Sequence, residues 1–513
     1  MRSLRPTTYN AFRPLFVLWA VLALGLLASV LYIGWYDLNN PTLIDYGEGP
    51  LMWQAANLFN PTRAYASLDT GPLVIWNYTP GYLFSVRALS NWQGDLLWSG
   101  RFVSLLCGLG VATLLFAIIY RALPLRFSAK VRLCAAGTSL LFLTSASSMA
   151  WFPLMRVDWQ GLFFAYLGLF FFLSARSAPW KTALAFLCFI LAILTKQTFL
   201  AAPLSCVIVM VVFAPLRAIR AVLVSVAIGI FTFWLGMHWT HGGFMRHLVT
   251  YNVHKFSIHR AIAGLWLAML DVRLLFLPVA ALAALAFFRC SSRPRWRAAK
   301  LLLQRRPLFL TLTLEAVHFL LSFAMAFTFG KIGSNLNYFL EWTAALCSLA
   351  GISIGLMLWH ALRSPRITAL AASALVFPVL LGAFAFDQPL YKLIGAQSVR
   401  AQERHSLLDY NQVIPVLDAT PEPILSDDTV LLLRARKDIV FDPVGLYYMA
   451  LAGTWDQAPF LRRLKAKEFP LVIVSSPVLW HPAVLGAIHQ NYQLDRVAGQ
   501  FQLYRPRPSD STN

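Results

Sequence analysis

The chain reads as a succession of long apolar runs separated by short polar breaks. A helix that crosses the hydrocarbon core needs about 20 apolar residues. Runs of that kind, some shorter, recur at residues 15–36, 102–120, 133–151, 161–173, 183–194, 199–213, 221–239, 265–288, 308–329, 339–359 and 367–386. The pattern predicts about eleven transmembrane helices. Two substantial segments, 37–101 and 240–264, interrupt the series and fall on one side of the membrane. The first has helical spacing of apolar residues over 51–59, which predicts short helices lying along the interface. Its Trp53, Trp92 and Trp98 read as an interfacial aromatic belt.

From about Asp387 the pattern changes. Short apolar runs at 423–425, 439–441, 471–474 and 500–504 alternate with helix-like segments at 429–436, 458–467 and 482–490. The expected fold is therefore an all-α polytopic membrane region, 1–386, followed by a small soluble α/β domain, 387–513. That domain shows no phosphate-binding glycine loop, metal-ligand spacing or nucleophile motif, and no chemistry is assigned to it. The absence of an internal repeat weighs against a transporter built from inverted halves.

Composition agrees with the patterning: 58% of the 513 residues are hydrophobic and 13% are charged, with a mean hydropathy of +0.62. No water-soluble surface could be built from that balance. The net charge of +21 is a topology signal, because cytoplasmic loops retain Lys and Arg. With the N-terminus cytoplasmic, the inside segments hold Arg2, Arg5 and Arg13, then Arg121, Arg126, Lys130 and Arg132, then Arg176 and Lys181, then Arg217 and Arg220, a dense run from Arg289 to Arg306, and Arg363 with Arg366. None of these segments contains Asp or Glu. An odd number of spans then puts the C-terminal domain outside, and the charge implies no nucleic-acid partner. The first run is long and lacks a small-residue cleavage site, so it reads as a retained helix. The six cysteines, Cys107, Cys134, Cys188, Cys206, Cys290 and Cys347, lie in spans or the inside loop, with no CxxC pair.

The residues with chemical potential gather on the outer side. Asp45 and Glu48, beside Gly47 and Gly49, suit proton abstraction or cation binding, or form a solvated loop with a helix cap. Arg156 and Asp158, at the outer end of the fourth span, face a cavity or pair with each other. Lys196 interrupts apolar sequence where an ammonium can hold a phosphate or snorkel to the interface. His238, His241, His247, His254, Lys255, His259 and Arg260 crowd the second outer loop in no zinc spacing, a mixture that favours an anionic ligand, or a metal where two imidazoles converge with a carboxylate, or consists of ordinary loop residues. Lys331, Asn335, Asn337, Tyr338 and Glu341 enter the tenth span together, and Glu315 with His318 lie deeper in the bundle. Five outer segments bearing acids, amides or cations fit one pocket at the membrane surface.

In order and placement these segments resemble the GT-C glycosyltransferases, specifically family 39, the protein O-mannosyltransferases and the aminoarabinose transferase of lipid A. The resemblance is carried by Asp45 and Glu48, by Tyr78-Thr79-Pro80-Gly81-Tyr82, by Arg156 and Asp158, by Leu194-Thr195-Lys196, by Asn252-Val253-His254-Lys255, and by Gly333-Ser334-Asn335-Leu336-Asn337-Tyr338. It implies inverting transfer of a sugar from a polyprenyl-phosphate donor to a lipid, glycan or protein acceptor at the outer face of the inner membrane. In that scheme Asp45 is the base. Glu48 and Asp158 are supporting or metal-binding acids, which leaves a divalent metal ion open as a cofactor. Lys196, Lys255 and Arg156 hold the donor phosphate, and Tyr78, Tyr82, His254, Asn335, Asn337, Tyr338 and Glu341 line the substrate pocket. Thr79-Pro80-Gly81 departs from the two prolines of many relatives. The rival readings are a lipid or polysaccharide flippase, which requires charged residues along a path through the bilayer, and a non-catalytic envelope-assembly protein, which leaves the outer carboxylates without a role.

Overall fold

The computed structural model describes residues 6–69, 71–175, 178, 180–289, 303, 306–361, 379, 380, 382, 383, 385 and 387–508. Most of the run at 367–386 and most of the basic segment from Arg289 to Arg306 lie outside the described residues. Among the described residues five helical segments are long and apolar enough to cross a membrane: Arg13–Leu38, Leu96–Ala122, Pro215–Trp239, Pro307–Gly330 and Leu336–His360. Asp158–Ser174, Trp180–Thr195 and Ala201–Phe213 are shorter helices that pack into the same apolar core. The protein is a polytopic, mostly helical membrane protein with a small C-terminal sheet.

The apolar runs do not all become straight spans. The run at 133–151 is divided into the helices Ala129–Gly137, Ser139–Leu143 and Ala146–Trp151. Its hydroxyl side chains offer the backbone other partners: Thr138 Oγ1 donates to the Ala135 carbonyl at 2.7 Å, and the Ser145 side chain caps the third helix by accepting from Ser148 N. The run at 265–288 is bent by 80° between Ile258–Asp271 and Arg273–Ala284. At that corner the Asp271 carboxylate accepts the Ala146 N–H at 3.0 Å.

The first outer segment folds inward instead of lying flat on the interface. Trp53 is fully buried, stands edge-on to Trp76 at 6.2 Å and donates its indole N–H to Asp438 at 2.7 Å. It belongs to a core, not to the expected aromatic belt; Trp92, 85% exposed, remains outside.

The C-terminal region opens with the helix Asp387–Asp418. A four-stranded sheet follows, made of β1 (Ile424–Ser426), β2 (Leu471–Val474), β3 (Tyr492–Ala498) and β4 (Phe501–Pro506). Its order is β1-β2-β4-β3, with β1 parallel to β2 and the other pairs antiparallel. The expected strand at 439–441 is not in the sheet. It forms a single bridge to Leu73 of the first outer segment, with Leu73 N donating to Val440 O at 3.0 Å and Asp442 N to Leu73 O at 2.8 Å. The cores are shared as well: Trp53, Trp76, Met155 and Val157 pack with Val430, Leu431, Ile439 and Leu471. Arg434 pairs with Asp95 at 2.6 Å and Arg63 with Asp438 at 2.9 Å. The C-terminal region is therefore built onto the 37–101 segment at one end of the membrane region, as a continuation of its structure.

Candidate active site

Glu48 opens the helix Glu48–Ala56 and is fully buried. Arg101, on the helix Leu96–Ala122, grips it as a fork, with Nε on Oε1 at 2.8 Å and Nη2 on Oε2 at 2.7 Å. The N–H groups of Met155, Ile44 and Asp45 also donate to it, at 3.0, 3.1 and 3.3 Å. The same guanidinium donates to the carbonyls of Asp37, Asn40 and Thr42. Burial alone would raise the pKa of Glu48. Charge and hydrogen bonds from Arg101 outweigh it and hold the carboxyl below its ordinary value. Glu48 was expected among the catalytic acids; the structure makes it the knot that fixes the first outer segment. Arg101 was not singled out from the sequence, because it stands at the edge of an apolar run like an ordinary boundary cation.

Asp45, one turn earlier, is bound by Arg156. The guanidinium lies against Gly47, where an added Cβ would come within 2.0 Å of Nη1; the glycine is what lets the cation reach the acid. Arg156 also lies over the rings of Tyr46 at 5.2 Å and Trp151 at 5.5 Å. Asp158, 1% exposed, accepts from Lys196 Nζ at 2.6 Å, Asn337 Nδ2 at 2.9 Å and Trp151 Nε1 at 3.0 Å. Lys196 in turn lies over the rings of Tyr338 at 4.8 Å and Tyr78 at 5.9 Å. The first outer segment is brought to this lysine at Gly81, whose position leaves only 2.5 Å between an added Cβ and the Leu194 carbonyl. Thr79 Oγ1 donates to the Ile193 carbonyl at 3.0 Å on the same contact.

These groups border a cavity of about 340 Å³. Its lining includes Tyr78, Arg156, Lys196, Asn252, His254, Lys331, Asn335, Asn337 and Tyr338, and, from the C-terminal region, Asp442, Val444, Gly445 and Tyr448. Asp45, Glu48 and Asp158 stand behind lining cations or outside the cavity. The fourth wall was not anticipated: the helix Pro443–Ala452, which carries those C-terminal residues, lies in a stretch with no strong period. Asp442 caps it by accepting from Gly445 N at 3.2 Å. Burial pushes the Asp442 carboxyl up to about 6. Burial, with Lys331 nearby, pushes His254 down to about 4, so its imidazole is neutral at pH 7.

Three expected pocket residues lie elsewhere. Tyr82 is buried with its hydroxyl donating to the Gly100 carbonyl at 2.7 Å, holding two helices together. Glu341 pairs with His318 at 3.1 Å, and His318 with Glu315 at 3.5 Å, so the deep ionisable groups close on one another inside the bundle. Lys255 is exposed and outside the lining; Lys331 supplies the cation on that side. Among the outer histidines, His247 is structural: Nδ1 accepts the Trp76 N–H at 3.1 Å and Nε2 contacts the Ala66 carbonyl at 2.6 Å. Among the described residues no group of three or more His, Cys, Asp or Glu side chains could hold a metal ion. Glu48 and Asp158, expected as supporting or metal-binding acids, are each engaged in an ion pair.

Neither a protein-family model nor any curated protein sequence matches the chain. Its fold, however, is that of solved structures. The crystal structure of ArnT from Cupriavidus metallidurans bound to undecaprenyl phosphate superposes with a TM-score of 0.59 at 16% identity, covering 96% of this chain and 98% of that one. The apo structure of the same protein gives 0.60 at 15% identity, over 95% and 97%. At such identity the likeness establishes the architecture, and it is the GT-C fold.

Proposed function

We propose that this protein is a membrane glycosyltransferase that moves a sugar from a polyprenyl-phosphate donor to a lipid, glycan or protein acceptor, with inversion, at the periplasmic face of the inner membrane. The observation that carries the reading is the cavity in which Arg156, Lys196 and Lys331 converge. It occurs in a fold of which one solved example is bound to undecaprenyl phosphate.

The chemistry suits those residues. A phosphate is a competent leaving group, so the protein must supply positive charge where the phosphate departs, a base for the acceptor hydroxyl, and a fixed orientation of the two. As the bond from the anomeric carbon to the phosphate oxygen breaks, its electron pair leaves with the phosphate. The acceptor oxygen bonds to the same carbon from the opposite side and gives up its proton. Asp45 is the base in this scheme. Its pairing with Arg156, a residue of the cavity lining, is compatible with that role, because catalytic hydrogen bonds rearrange when substrates arrive. The inside charge pattern supports a cytoplasmic N-terminus, with Asp45 and the C-terminal region outside.

The test is purified protein in lipid nanodiscs with a polyprenyl-phosphate sugar and envelope extract as acceptor source. Acceptor-dependent release of polyprenyl phosphate, with no activity from nucleotide sugars, supports the reading. Sugar transfer from nucleotide sugars alone, with release of the nucleotide, or transfer from neither donor, removes it.

A further inference from the structure

The membrane region carries a second cavity, of about 780 Å³, lined by the first helix, Pro6–Leu38, the helix Leu96–Ala122 and the divided run that starts with Ala129–Gly137. It arises because the two long helices are held together at one end only. At Gly34 an added Cβ would come within 2.7 Å of Leu105, so the halves nearer the active site touch. Farther down, small side chains face the gap: Ala20, Ala23, Ala112, Gly137 and Ser139 all line it. Trp19, also in the lining, ties the first helix to the divided run by donating its indole N–H to the Cys134 carbonyl at 3.2 Å.

Chain direction orders the lining. Arg13 and Lys130 stand at the end remote from the active site, and Leu27, Leu109 and Leu143 stand at the other. Between Arg13 and Leu27 a helix advances about 21 Å. Half the hydrocarbon core is roughly 15 Å, so the groove runs from one membrane surface to the midplane and beyond. It has a cationic mouth and an apolar bore, and no Asp or Glu is among its lining residues.

We propose that this groove binds an anionic glycerophospholipid of the leaflet opposite the active site, with the headgroup phosphate on Arg13 and Lys130 and an acyl chain along the bore. The inference goes beyond the glycosyl-transfer reading and does not rest on it. Basic pockets between membrane helices on the cytoplasmic side suit phosphate headgroups, and the Lys and Arg pattern assigns this end to the cytoplasm. Charge decides among the occupants. A polyprenyl-phosphate donor carries its phosphate at the opposite surface, which leaves the mouth unmatched. A second copy of this chain would bring more cations, because its inside segments contain no Asp or Glu. A phospholipid supplies both the anion and the chain.

The experiment uses the full chain in detergent, with bound lipid and oligomeric state read by native mass spectrometry and stability by thermal melting. Phosphatidylglycerol is the probe and phosphatidylcholine the neutral control. The wild type should retain phosphatidylglycerol in preference, and its melting temperature should rise with that lipid, because a ligand of the folded state stabilises it. Arg13→Gln and Lys130→Gln should each weaken phosphatidylglycerol about fivefold and leave phosphatidylcholine unchanged. Thr113→Phe, at an exposed lining position, keeps both cations but narrows the bore, and should weaken both lipids. Melting without added lipid shows that each variant is folded. Equal retention of the two lipids by the wild type overturns the site, as does a preference that survives both cation substitutions. Polyprenyl phosphate that displaces phosphatidylglycerol from the wild type but not from Arg13→Gln/Lys130→Gln gives the groove to the carrier lipid and overturns the assignment. So does a dimer that Thr113→Phe dissolves, which gives the face to a second copy.

Discussion

Arg101 and Glu48 form a bidentate ion pair in which neither side chain has any exposed surface. The pair joins the first long membrane-crossing helix after the outer segment to the segment that carries Asp45. Arg101→Met leaves a buried carboxylate without its counter-charge, at a cost of about 3–5 kcal/mol. The expected result is a large loss of thermal stability in detergent, with much of it restored in the double variant Glu48→Leu/Arg101→Met. A single Arg101→Met variant as stable as wild type would contradict the arrangement.

Lys196 and Asp158 are coupled in the same manner. Lys196→Met and Asp158→Asn should each destabilise the protein, and the double variant should lose less than the sum of the two. A coupling of about 0.5–3 kcal/mol is expected in a double-mutant cycle read by denaturation. Additive losses would mean that the two side chains act independently. The cycle also separates the structural cost of Lys196→Met from any effect on donor affinity.

Asp442 makes the attachment of the C-terminal wall sensitive to pH. Its carboxyl is raised from an ordinary 3.8 to about 6 in the folded protein, so between those values the folded state holds the proton more tightly than the unfolded state. Its contribution to stability is full below about 3.8 and is lost as pH rises through 6. Wild type compared with Asp442→Asn should therefore show a stability difference that changes across pH 4–6 and levels off above it. A difference that is flat across that window would place the carboxyl in water.

Much of this site was legible in the sequence. The outer segments at Asp45, Arg156 to Asp158, Lys196, Asn252 to His254 and Lys331 to Tyr338 do converge, because one-sided polar breaks in apolar sequence have only the membrane surface in common. What was not legible depends on tertiary partners. Nothing local marks Arg101 as the mate of Glu48, 53 positions away. Nor does a loop pattern tell that Lys331 and not Lys255 faces inward. The strand β3 was missed because its central residues are exposed and carry no apolar alternation. The divided run at 133–151 was read as one span because Thr and Ser do not lower hydropathy enough to show the breaks. Trp53 looked like a membrane belt because the core that buries it comes from a region some 380 residues later, at Asp438.

The central claim is that the outer-face cavity transfers a sugar from a lipid phosphate with Asp45 as the base. It is tested most directly by the turnover of a polyprenyl-phosphate sugar by purified Asp45→Asn protein, shown by its melting profile to be folded. The substitution keeps the shape and hydrogen bonding of the side chain and removes its basicity. The account predicts a loss of at least about 10²-fold relative to wild type. Turnover near the wild-type value would contradict it.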